Sequence, residues 1–409
     1  MQSKPTSLAL RRRFEALKTL GLALDMTRGK PSAEQLALSE PMRTITDTQA
    51  GTIDCRNYGG LEGLPEARAL CAEYLGVRPE ETLVLGNSSL TLMHDVFVQA
   101  LLRPHPEIKG SWNDLRSLGL KPKMLCPVPG YDRHHAICAH FDIEMLPVPM
   151  RDDGPDVRMI VELLKGRPDI IGMWCIPKYS NPTGITYSEK VARVLAYLRA
   201  DILIFWDLAY AAHDLRETPD EVPNILELCK EAHHEDRVFI FGSTSKITFA
   251  GAGISMLAAS EKNIAWFKES LAVQTIGPDK LNQLRHVRFL KDMDGVRALM
   301  AKHRAIIRPK FETVNEVFRQ QLGGRGIAQW SNPRGGYFIS LYVQHGCAKR
   351  VVTLAAELGV KLTPAGAAFP YGNDPEDSHI RIAPTFPPLA EVRQAAEVVA
   401  LCVQIAAEE

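Results

Sequence analysis

Seven short, continuous apolar runs in the first two thirds of the chain constrain the fold more than any other feature of the sequence. Runs that are apolar throughout, rather than at alternate positions, predict strands that are covered on both faces. Helix-like segments, such as 90–102 and 187–200, lie between several of them. This alternation predicts an α/β fold whose main part is a three-layer domain around a mostly parallel, seven-stranded sheet. The predicted strands are 82–85, 124–126, 143–148, 170–176, 202–206, 238–241 and 254–259.

The length of the chain predicts a second domain. A single hydrophobic core stops growing near ~250 to 300 residues, and this chain has 409. After about residue 260 the pattern changes to long helical segments and a few short strands, which is typical of a smaller α+β domain. We therefore expect an N-terminal arm (1–55) that joins the small domain, a large domain (56–285) and a small C-terminal domain (286–409).

Charge and composition exclude several classes of function. The 48 basic and 48 acidic residues balance, so we expect no general attraction to nucleic acid or anionic lipid. No apolar stretch reaches the roughly 18 residues of a membrane helix. The eight cysteines form no C-x-x-C pair, and no metal-ligand spacing surrounds His134, His135 and His140. These features predict a soluble, cytoplasmic protein with reduced thiols, without a metal, nucleic-acid or membrane partner.

Specific polar motifs follow four of the predicted strands. Gly86-Asn87-Ser88-Ser89 follows the first, Asn181-Pro182-Thr183-Gly184 the fourth, Asp207 and Tyr210 the fifth, and Ser243-Thr244-Ser245-Lys246 the sixth. In doubly wound sheets, ligands bind beyond the carboxyl ends of the strands. We expect these motifs to face one cleft.

Each motif alone allows a structural role as well as a chemical one. The 86–89 turn suits a phosphate at a helix N-terminus, or is a plain helix cap. Asp207 could bind a cationic group, or be a helix N-cap or part of a structural ion pair. Lys246 could be a desolvated nucleophile, or a solvated lysine. Together, a phosphate cradle, an acid for a ring nitrogen, donors for a phenolate oxygen and a Schiff-base lysine are what pyridoxal phosphate requires.

The order of these motifs resembles the class I/II aminotransferases of pyridoxal-phosphate-dependent fold type I. The resemblance covers roughly residues 25 to 400 and includes Tyr58, Tyr131 and Arg381 besides the strand-end motifs. Residues 26–31 and 243–251 look like a bacterial, aspartate-aminotransferase-like subgroup often labelled MocR-like, here without the DNA-binding domain.

The resemblance implies a catalytic role for three residues. Lys246 resembles the lysine that forms the Schiff base and then moves a proton at the substrate α-carbon. Asp207 resembles the acid that keeps the pyridine nitrogen protonated. Tyr210, with Asn181, resembles the donors to the ring's phenolate oxygen, and Tyr131 resembles the aromatic side chain that stacks on the ring.

The resemblance also implies how phosphate and substrate are held. The phosphate would be bound by Asn87, Ser88, Ser89, Ser243 and Ser245. Tyr58 resembles a tyrosine that reaches the phosphate of the neighbouring subunit, which implies a homodimer with shared active sites. Arg381 resembles the arginine that binds the substrate α-carboxylate as a fork, and the further substrate-binding candidates are Gly29, Lys30 and Asn181.

The chain departs from the family pattern at two places. The arginine that usually pairs with the phosphate, seven or eight residues after the lysine, is replaced by Gly253 and Ile254. The loop 274–280, which in aspartate-specific relatives supplies an arginine for the substrate side chain, has none. Substitutes for that second arginine would be Lys280, Arg28 or Lys30.

The sequence thus predicts an aminotransferase that moves an amino group from an α-amino acid, aspartate or glutamate, to a 2-oxo acid, 2-oxoglutarate. The mechanism implied is ping-pong, through pyridoxamine phosphate. A lyase or decarboxylase on the same fold is the alternative, because the shared carbanion can break different bonds. A ligand-sensing regulator would need a DNA-binding helix-turn-helix before the pattern, whereas Tyr58 already lies in it.

Overall fold

The computed structural model of the protein describes residues 7–108 and 110–409. Its α-helices are α1 (Ser7–Lys18), α2 (Ala33–Ala37), α3 (Pro65–Leu75), α4 (Ser89–Leu102), α5 (Trp112–Ser117), α6 (Asp132–His140), α7 (Val157–Leu164), α8 (Glu189–Ala196), α9 (Ile225–Glu231), α10 (Glu261–Gln274), α11 (Lys280–Leu290), α12 (Met293–Leu322), α13 (Ala348–Glu357) and α14 (Leu389–Ala406).

The strands follow the same chain order. They are β1 (Leu24–Asp25), β2 (Gln49–Ala50), β3 (Ile53–Asp54), β4 (Thr82–Leu85), β5 (Lys123–Val128), β6 (Glu144–Arg151), β7 (Gly154–Pro155), β8 (Ile170–Cys175), β9 (Leu203–Asp207), β10 (Val238–Ser243), β11 (Ser255–Ala259), β12 (Ala328–Trp330), β13 (Ile339–Val343), β14 (Val360–Lys361) and β15 (His379–Ile382). Short 3-10 turns cover Glu40–Thr44, Pro79–Glu81, Glu235–Arg237 and Pro370–Gly372.

Within the described residues, eight strands form the large sheet, in the order β4-β11-β10-β9-β8-β5-β6-β7. The strands from β10 to β6 are parallel, and β11 is antiparallel to both of its neighbours. All seven apolar runs became strands of this sheet, so the predicted mostly parallel sheet is confirmed. The eighth strand, β7, is a two-residue hairpin return on β6. A Gly-Pro pair is too short to produce an apolar run.

Both faces of the large sheet are buried, as the continuous apolar runs predicted. In β9, Ile204 and Trp206 lie in one apolar core and Leu203 and Phe205 lie in another. Successive side chains of a strand point to opposite faces. The two cores are therefore the two helix-covered faces of a three-layer α/β domain.

The C-terminal third builds a smaller sheet, in which β13 pairs antiparallel with both β12 and β15. The N-terminal segment joins this part of the protein, because β1 pairs in parallel with β14. The 30-residue helix α12 packs along α14. This arrangement is consistent with the expected N-terminal arm, although the domain boundaries themselves stay a prediction.

The fold brings four strand ends to one place. Strands β8, β9 and β10 are parallel neighbours, and β4 runs in the same direction because both β4 and β10 are antiparallel to β11. Their carboxyl ends therefore lie at the same edge of the sheet, where the polar motifs begin. Among the helices of the described residues, none is long and apolar enough to cross a membrane.

Candidate active site

Asp207 is the last residue of β9 and lies at the bottom of the cleft. Its side chain is buried, at 2% exposure. One carboxylate oxygen accepts a hydrogen bond from the backbone N–H of Ala209 at 3.1 Å. Burying a carboxylate without a cationic partner costs free energy. The second carboxylate oxygen, Oδ2, therefore requires a partner of its own.

His134 faces that second oxygen. Its Nε2 lies 3.5 Å from Asp207 Oδ2, and its ring stacks on Trp174 with centroids 4.3 Å apart. The sequence predicted no metal site at the histidines of this helix, and the contact of His134 with Asp207 was not predicted. The available signal was spacing: His134 lies three residues after Tyr131, and therefore on the same side of α6.

Lys246 lies in the turn after β10, and its amine is available. The Nζ atom is 5.0 Å from the centre of the Tyr210 ring, and no hydrogen-bond partner for it lies in the ranges 7–108 and 110–409. Burial lowers the pKa of this amine, and the negative charge of Asp207 opposes that shift. A lower pKa makes the neutral, nucleophilic amine more accessible near neutral pH.

Three donors fix the backbone on which Lys246 sits. The carbonyl of Lys246 accepts from His213 Nε2 at 3.2 Å and from the Tyr337 hydroxyl at 3.4 Å. The next carbonyl, of Ile247, accepts from His303 Nε2 at 2.9 Å. Because carbonyls only accept, His213 and His303 carry their protons on Nε2. This network was not foreseen from the sequence.

Two tyrosines close the cleft beside Asp207. The Tyr131 ring meets the His134 ring edge-on, with centroids 5.0 Å apart. Burial and the nearby charge of Asp207 raise the pKa of Tyr131 to about 12. Burial also raises the pKa of Tyr210 well above its usual value. Both hydroxyls are therefore protonated donors at neutral pH.

The predicted phosphate cradle is formed by the start of α4 and the turn after β10. Ser88 is the N-cap residue of α4, but its side chain makes no capping hydrogen bond. Ser245 Oγ donates to the carbonyl of Asn87 at 2.6 Å, which ties the two segments together. Asn87 and Ser88 line a cavity of about 290 Å³. Ser88 thus occupies the N-cap position of α4, while no capping hydrogen bond engages its hydroxyl.

The remaining cradle candidates, Ser89 and Ser243, are the first residue of α4 and the last residue of β10. The first-turn N–H groups of α4 have no partners within the helix, and such groups favour a phosphate. Gly253, where the family pattern has its arginine, packs on the same turn. A Cβ atom there would lie 2.9 Å from the Ser245 nitrogen. The packing of this loop thus excludes a side chain at that position.

Arg381 projects from β15 into the same cleft and is 7% exposed. Its guanidinium carbon lies 5.0 Å from the centre of the Phe338 ring. Nη1 donates to Asp132 Oδ1 at 2.8 Å and to Asn181 Oδ1 at 3.5 Å, and Nη2 donates to Thr363 Oγ1 at 3.4 Å. The fold thus brings Arg381 and Asn181 together, and adds Asp132, Phe338 and Thr363, which the sequence analysis missed.

Gly29 and Lys30 lie behind this arginine. Gly29 packs on the Phe338 ring, since a Cβ atom there would be 2.6 Å from Phe338 Cζ. Lys30 is exposed, with its Nζ 3.7 Å above the Phe386 ring centre. Its carbonyl accepts from Thr385 Oγ1 at 3.2 Å. Gly29 therefore acts on the site through Phe338.

Tyr58 lies on a surface loop that contacts Lys280, the buried first residue of α11. Tyr58 is 83% exposed. Lys280 Nζ donates to the carbonyls of Asn57 at 2.7 Å and of Gly59 at 2.5 Å, on either side of Tyr58. The amine that we considered for a substrate carboxylate is thus engaged in holding the Tyr58 loop.

No metal site accompanies these groups in the described part of the chain, where no cluster of three or more His, Cys, Asp or Glu side chains is placed to hold an ion. The cleft itself contains the Lys246 amine, the buried Asp207 carboxylate and the buried Arg381 guanidinium.

Comparison with known proteins decides the family. The profile of the aspartate amino-transferase family matches residues 3–409. The chain belongs to this family. An aspartate aminotransferase of Corynebacterium glutamicum is 43% identical over 98% of this chain and 93% of its own length. A Mycolicibacterium smegmatis protein is 49% identical over 97% of this chain and 94% of its own. The predictions of an enzyme and of an aminotransferase are confirmed.

Solved structures of the family agree with the fold. The crystal structure of a C. glutamicum aspartate transaminase superposes with a TM-score of 0.94 at 43% identity, covering 98% of this chain and 95% of that one. The α-aminoadipate aminotransferase LysN of Thermus thermophilus, solved with N-(5'-phosphopyridoxyl)-L-leucine, reaches a TM-score of 0.77 at 20% identity, covering 98% and 95%. The aminotransferase fold type I is thus confirmed, whereas the MocR-like subgroup stays a prediction.

Proposed function

We propose that this aminotransferase uses pyridoxal phosphate to move the amino group of aspartate or glutamate to 2-oxoglutarate by a ping-pong mechanism. The observation that carries the proposal is the pairing of an available amine at Lys246 with a buried carboxylate at Asp207 in one cleft. The carboxylate would hold a protonated ring nitrogen, and the amine would react with the carbonyl carbon of the cofactor.

The residues at the strand ends fit the cofactor. The hydroxyl of Ser88 is not used for capping, and the start of α4 favours a phosphate. Asn87, Ser89, Ser243 and Ser245 complete the proposed phosphate site. When bound, pyridoxal phosphate supplies an electron sink for the charge that develops at the substrate α-carbon.

The residues around the ring have separate tasks in this proposal. Asp207, which lies beside Ala209 and His134, would keep the ring nitrogen protonated. Asn181 and Tyr210 would donate to the ring oxygen, and Tyr131 would cover the ring face. The Lys246 amine would take a proton from the substrate α-carbon and return it to the carbon on the other side of the substrate nitrogen, which requires a neutral amine. The lowered pKa of Lys246 supports that role.

Arg381 is the proposed binding site for the α-carboxylate. Its guanidinium is buried against Phe338, so that a carboxylate reaching it exchanges water for a charge-assisted pair in a dry site. Asn181 lies 3.5 Å from Nη1 and adds a polar contact. The α-carboxylate is common to all amino acids, and so this contact positions the substrate without selecting its side chain.

The preference for acidic substrates rests on the C. glutamicum relative, which is named an aspartate aminotransferase. Arg28 and Lys30 remain as candidates for the side-chain carboxylate, and both are exposed. We also propose a cytoplasmic homodimer. The exposure of Tyr58 supports the dimer, since a tyrosine on a protruding loop can reach a neighbouring subunit's phosphate site.

A donor panel tests this function. Holoenzyme is mixed with each of the common amino acids, and the loss of the visible absorption of lysine-bound cofactor is measured without an acceptor. We expect the fastest loss with aspartate or glutamate, and recovery of the band on adding 2-oxoglutarate.

The matched controls for the panel are two lysine variants. Lys246→Ala removes the reacting amine, so we expect no lysine-bound band and at least a ~10³-fold loss of rate. Lys262→Ala removes an exposed lysine that pairs with Asp236 and should leave both unchanged. A persistent band in Lys246→Ala would contradict the proposed nucleophile, and a fast response only to neutral donors would contradict the substrate class.

A further inference from the structure

Arg381 is already paired with a carboxylate of the protein itself. Asp132 Oδ1 accepts from Nη1 at 2.8 Å, and Asn181 Oδ1 lies 3.5 Å from the same nitrogen. Under the proposed function, a substrate α-carboxylate would bind Arg381 at the place that Asp132 occupies here. The Nε atom of Arg381 is buried, and no partner for it lies in the described residues. Both terminal nitrogens of Arg381 are thus engaged, Nη2 by Thr363 Oγ1 at 3.4 Å, and Nε remains as an unused donor.

The two partners differ in how easily they can move. Arg381 is 7% exposed, stacked on Phe338, and belongs to a strand paired with β13. The Asp132 side chain is 33% exposed and lies in the first turn of α6. A carboxylate near a helix N-terminus is stabilised there by the helix dipole and by water. If the pair separates, Asp132 is the partner that moves.

We propose that Asp132 determines the affinity of the enzyme for carboxylate substrates, by occupying the α-carboxylate site of Arg381 until a substrate displaces it. This inference rests on the proposed role of Arg381. The exchange replaces one charge-assisted pair by another, and so the buried guanidinium keeps an anionic partner throughout. Leaving it unpaired would be costly.

The exchange has a consequence for selectivity. A substrate with an α-carboxylate regains at Arg381 the interaction that Asp132 gives up. An amine without an α-carboxylate forms no ion pair with Arg381 that could replace the one with Asp132. Asp132 therefore lowers the affinity for ligands with an α-carboxylate, and it lowers the affinity for amines without one by a larger factor.

The test compares Asp132→Asn with a control on the same helix-loop unit. Asp142→Asn makes the identical change at a carboxylate that pairs with Lys121 on the surface. The probe is succinate, which has carboxylates but no amine, and its Kd on holoenzyme is measured by calorimetry. We expect Asp132→Asn to bind succinate about tenfold more tightly, since a charge-assisted competitor is removed. Asp142→Asn should match the unchanged enzyme.

Steady-state kinetics provide the second readout. The KM for the best donor should fall with the succinate Kd in Asp132→Asn, while kcat stays within about twofold. Asp132→Ser is a second variant that controls for a folding defect, because serine is favoured at helix starts. It should show the same changes in succinate Kd and KM as Asp132→Asn. An unchanged or weaker succinate affinity in both variants overturns the inference. A weaker one would mean that Asp132 orients Arg381.

Failure of this inference can be distinguished from failure of the proposed function. Arg381→Ala should abolish succinate binding and raise KM for all donors. If it does so while the Asp132 variants bind no tighter, only the role of Asp132 is wrong. If Arg381→Ala changes neither quantity, the proposed α-carboxylate site is wrong, and the inference falls with it.

Discussion

Gly29 shows how a residue without a side chain can serve the site. It lies against the Phe338 ring, on whose face Arg381 is stacked. Protein interiors are packed closely enough that one methyl group displaces its neighbours. The family resemblance indicated this glycine, and the structure gives the reason: the Phe338 ring leaves no room for a side chain there.

Gly29→Ala should therefore act on substrate binding. A Cβ atom 2.6 Å from Phe338 Cζ forces the ring, and with it the guanidinium, to shift. Overpacking of this kind costs on the order of 1 to 3 kcal/mol of folding free energy, and moving the Phe338 ring relieves it. Because Arg381 stacks on that ring, we expect KM for every donor to rise about tenfold. The measurement is KM across the donor panel. Gly251→Ala is the control, because a Cβ atom there meets nothing within 4 Å, and an unchanged KM in Gly29→Ala would contradict the mechanism.

At the scale of elements, a short helix of the N-terminal segment supports the catalytic turn. Gln35, on α2, is fully buried. Its Nε2 bonds His303 Nδ1 at 3.0 Å and the Tyr337 hydroxyl at 2.9 Å. Those two groups donate to the carbonyls of Ile247 and Lys246. One amide on α2 therefore links His303 of α12 and Tyr337, two residues before β13, to the backbone at Lys246 and Ile247.

Gln35→Leu tests this link. It leaves His303 Nδ1 without a donor in a buried place, which costs about 1 to 3 kcal/mol of unfolding free energy. We expect a lower urea midpoint and a broader visible band of bound cofactor, since Lys246 is held less firmly. Gln320→Leu, at an exposed glutamine paired with Glu316, should change neither. A stable Gln35→Leu protein would show that the network contributes little.

The last helix shows where periodicity misleads. The spacing of Leu389, Val392, Ala396, Val399 and Val403 predicts a single apolar stripe. In the structure Leu389 is exposed, and residues 398–406 of α14 are buried all round. The reason is tertiary, because α1, α12 and α13 all pack on α14. The type of element was predicted correctly, but the extent of its burial was not.

For the whole molecule, three exposed apolar side chains belong to segments that border the cavity at Asn87 and Ser88 or the neighbouring cavity at Tyr58. Tyr58, Val273 and Ile276 are 83%, 89% and 65% exposed. Pro278, in the same loop as Ile276, lines the cavity that contains Asn87 and Ser88. Exposed apolar side chains next to a site are typical of subunit interfaces, which supports the proposed homodimer.

Val273→Asp should weaken that dimer. A carboxylate in an apolar interface must be desolvated without a partner, which costs several kcal/mol. We expect the mass from sedimentation velocity to fall toward that of one chain at micromolar concentration, with loss of bound cofactor. Val161→Asp places the same charge on the partly exposed face of α7 and should not change the mass. A dimeric Val273→Asp protein would contradict the interface.

Buried histidines make stability depend on pH. Burial lowers the pKa of His105, His135, His286 and His379 to about 4 and that of His213 to about 3. The unfolded chain takes up protons near pH 6.5 and the folded protein does not. Unfolding free energy is therefore highest above that pH and is lost as pH falls toward 4, by roughly 1.4 kcal/mol per pH unit for each histidine.

Urea unfolding at pH 7.5 and 5.5 measures this effect. We expect a clearly lower midpoint at pH 5.5. His286→Gln should reduce the difference, because burial keeps this histidine neutral in the folded protein, even though its hydrogen bond to the Asn282 carbonyl at 2.8 Å opposes the lowering of its pKa. Equal midpoints at the two pH values would mean that the folded protein binds these protons too.

The sequence by itself determined the strands, their order of appearance and the motifs at their ends. Continuous apolar runs predict buried strands because each residue must be covered on its own face. The same logic placed Asn87, Asn181, Asp207 and Lys246 at one edge of the sheet. These predictions needed only local pattern and the rule that ligands bind at carboxyl ends of strands.

Only the tertiary structure decided which distant side chains complete the site. Asp132 and Arg381 are 249 residues apart in the chain and 2.8 Å apart in space. Gln35 and Tyr337 are separated by 302 residues and bonded at 2.9 Å. Local spacing carries no information about such pairs, because they depend on how the small sheet and the N-terminal segment pack against the large sheet. The candidate catalytic residues could be predicted from the sequence, but the groups that contact them were set by packing.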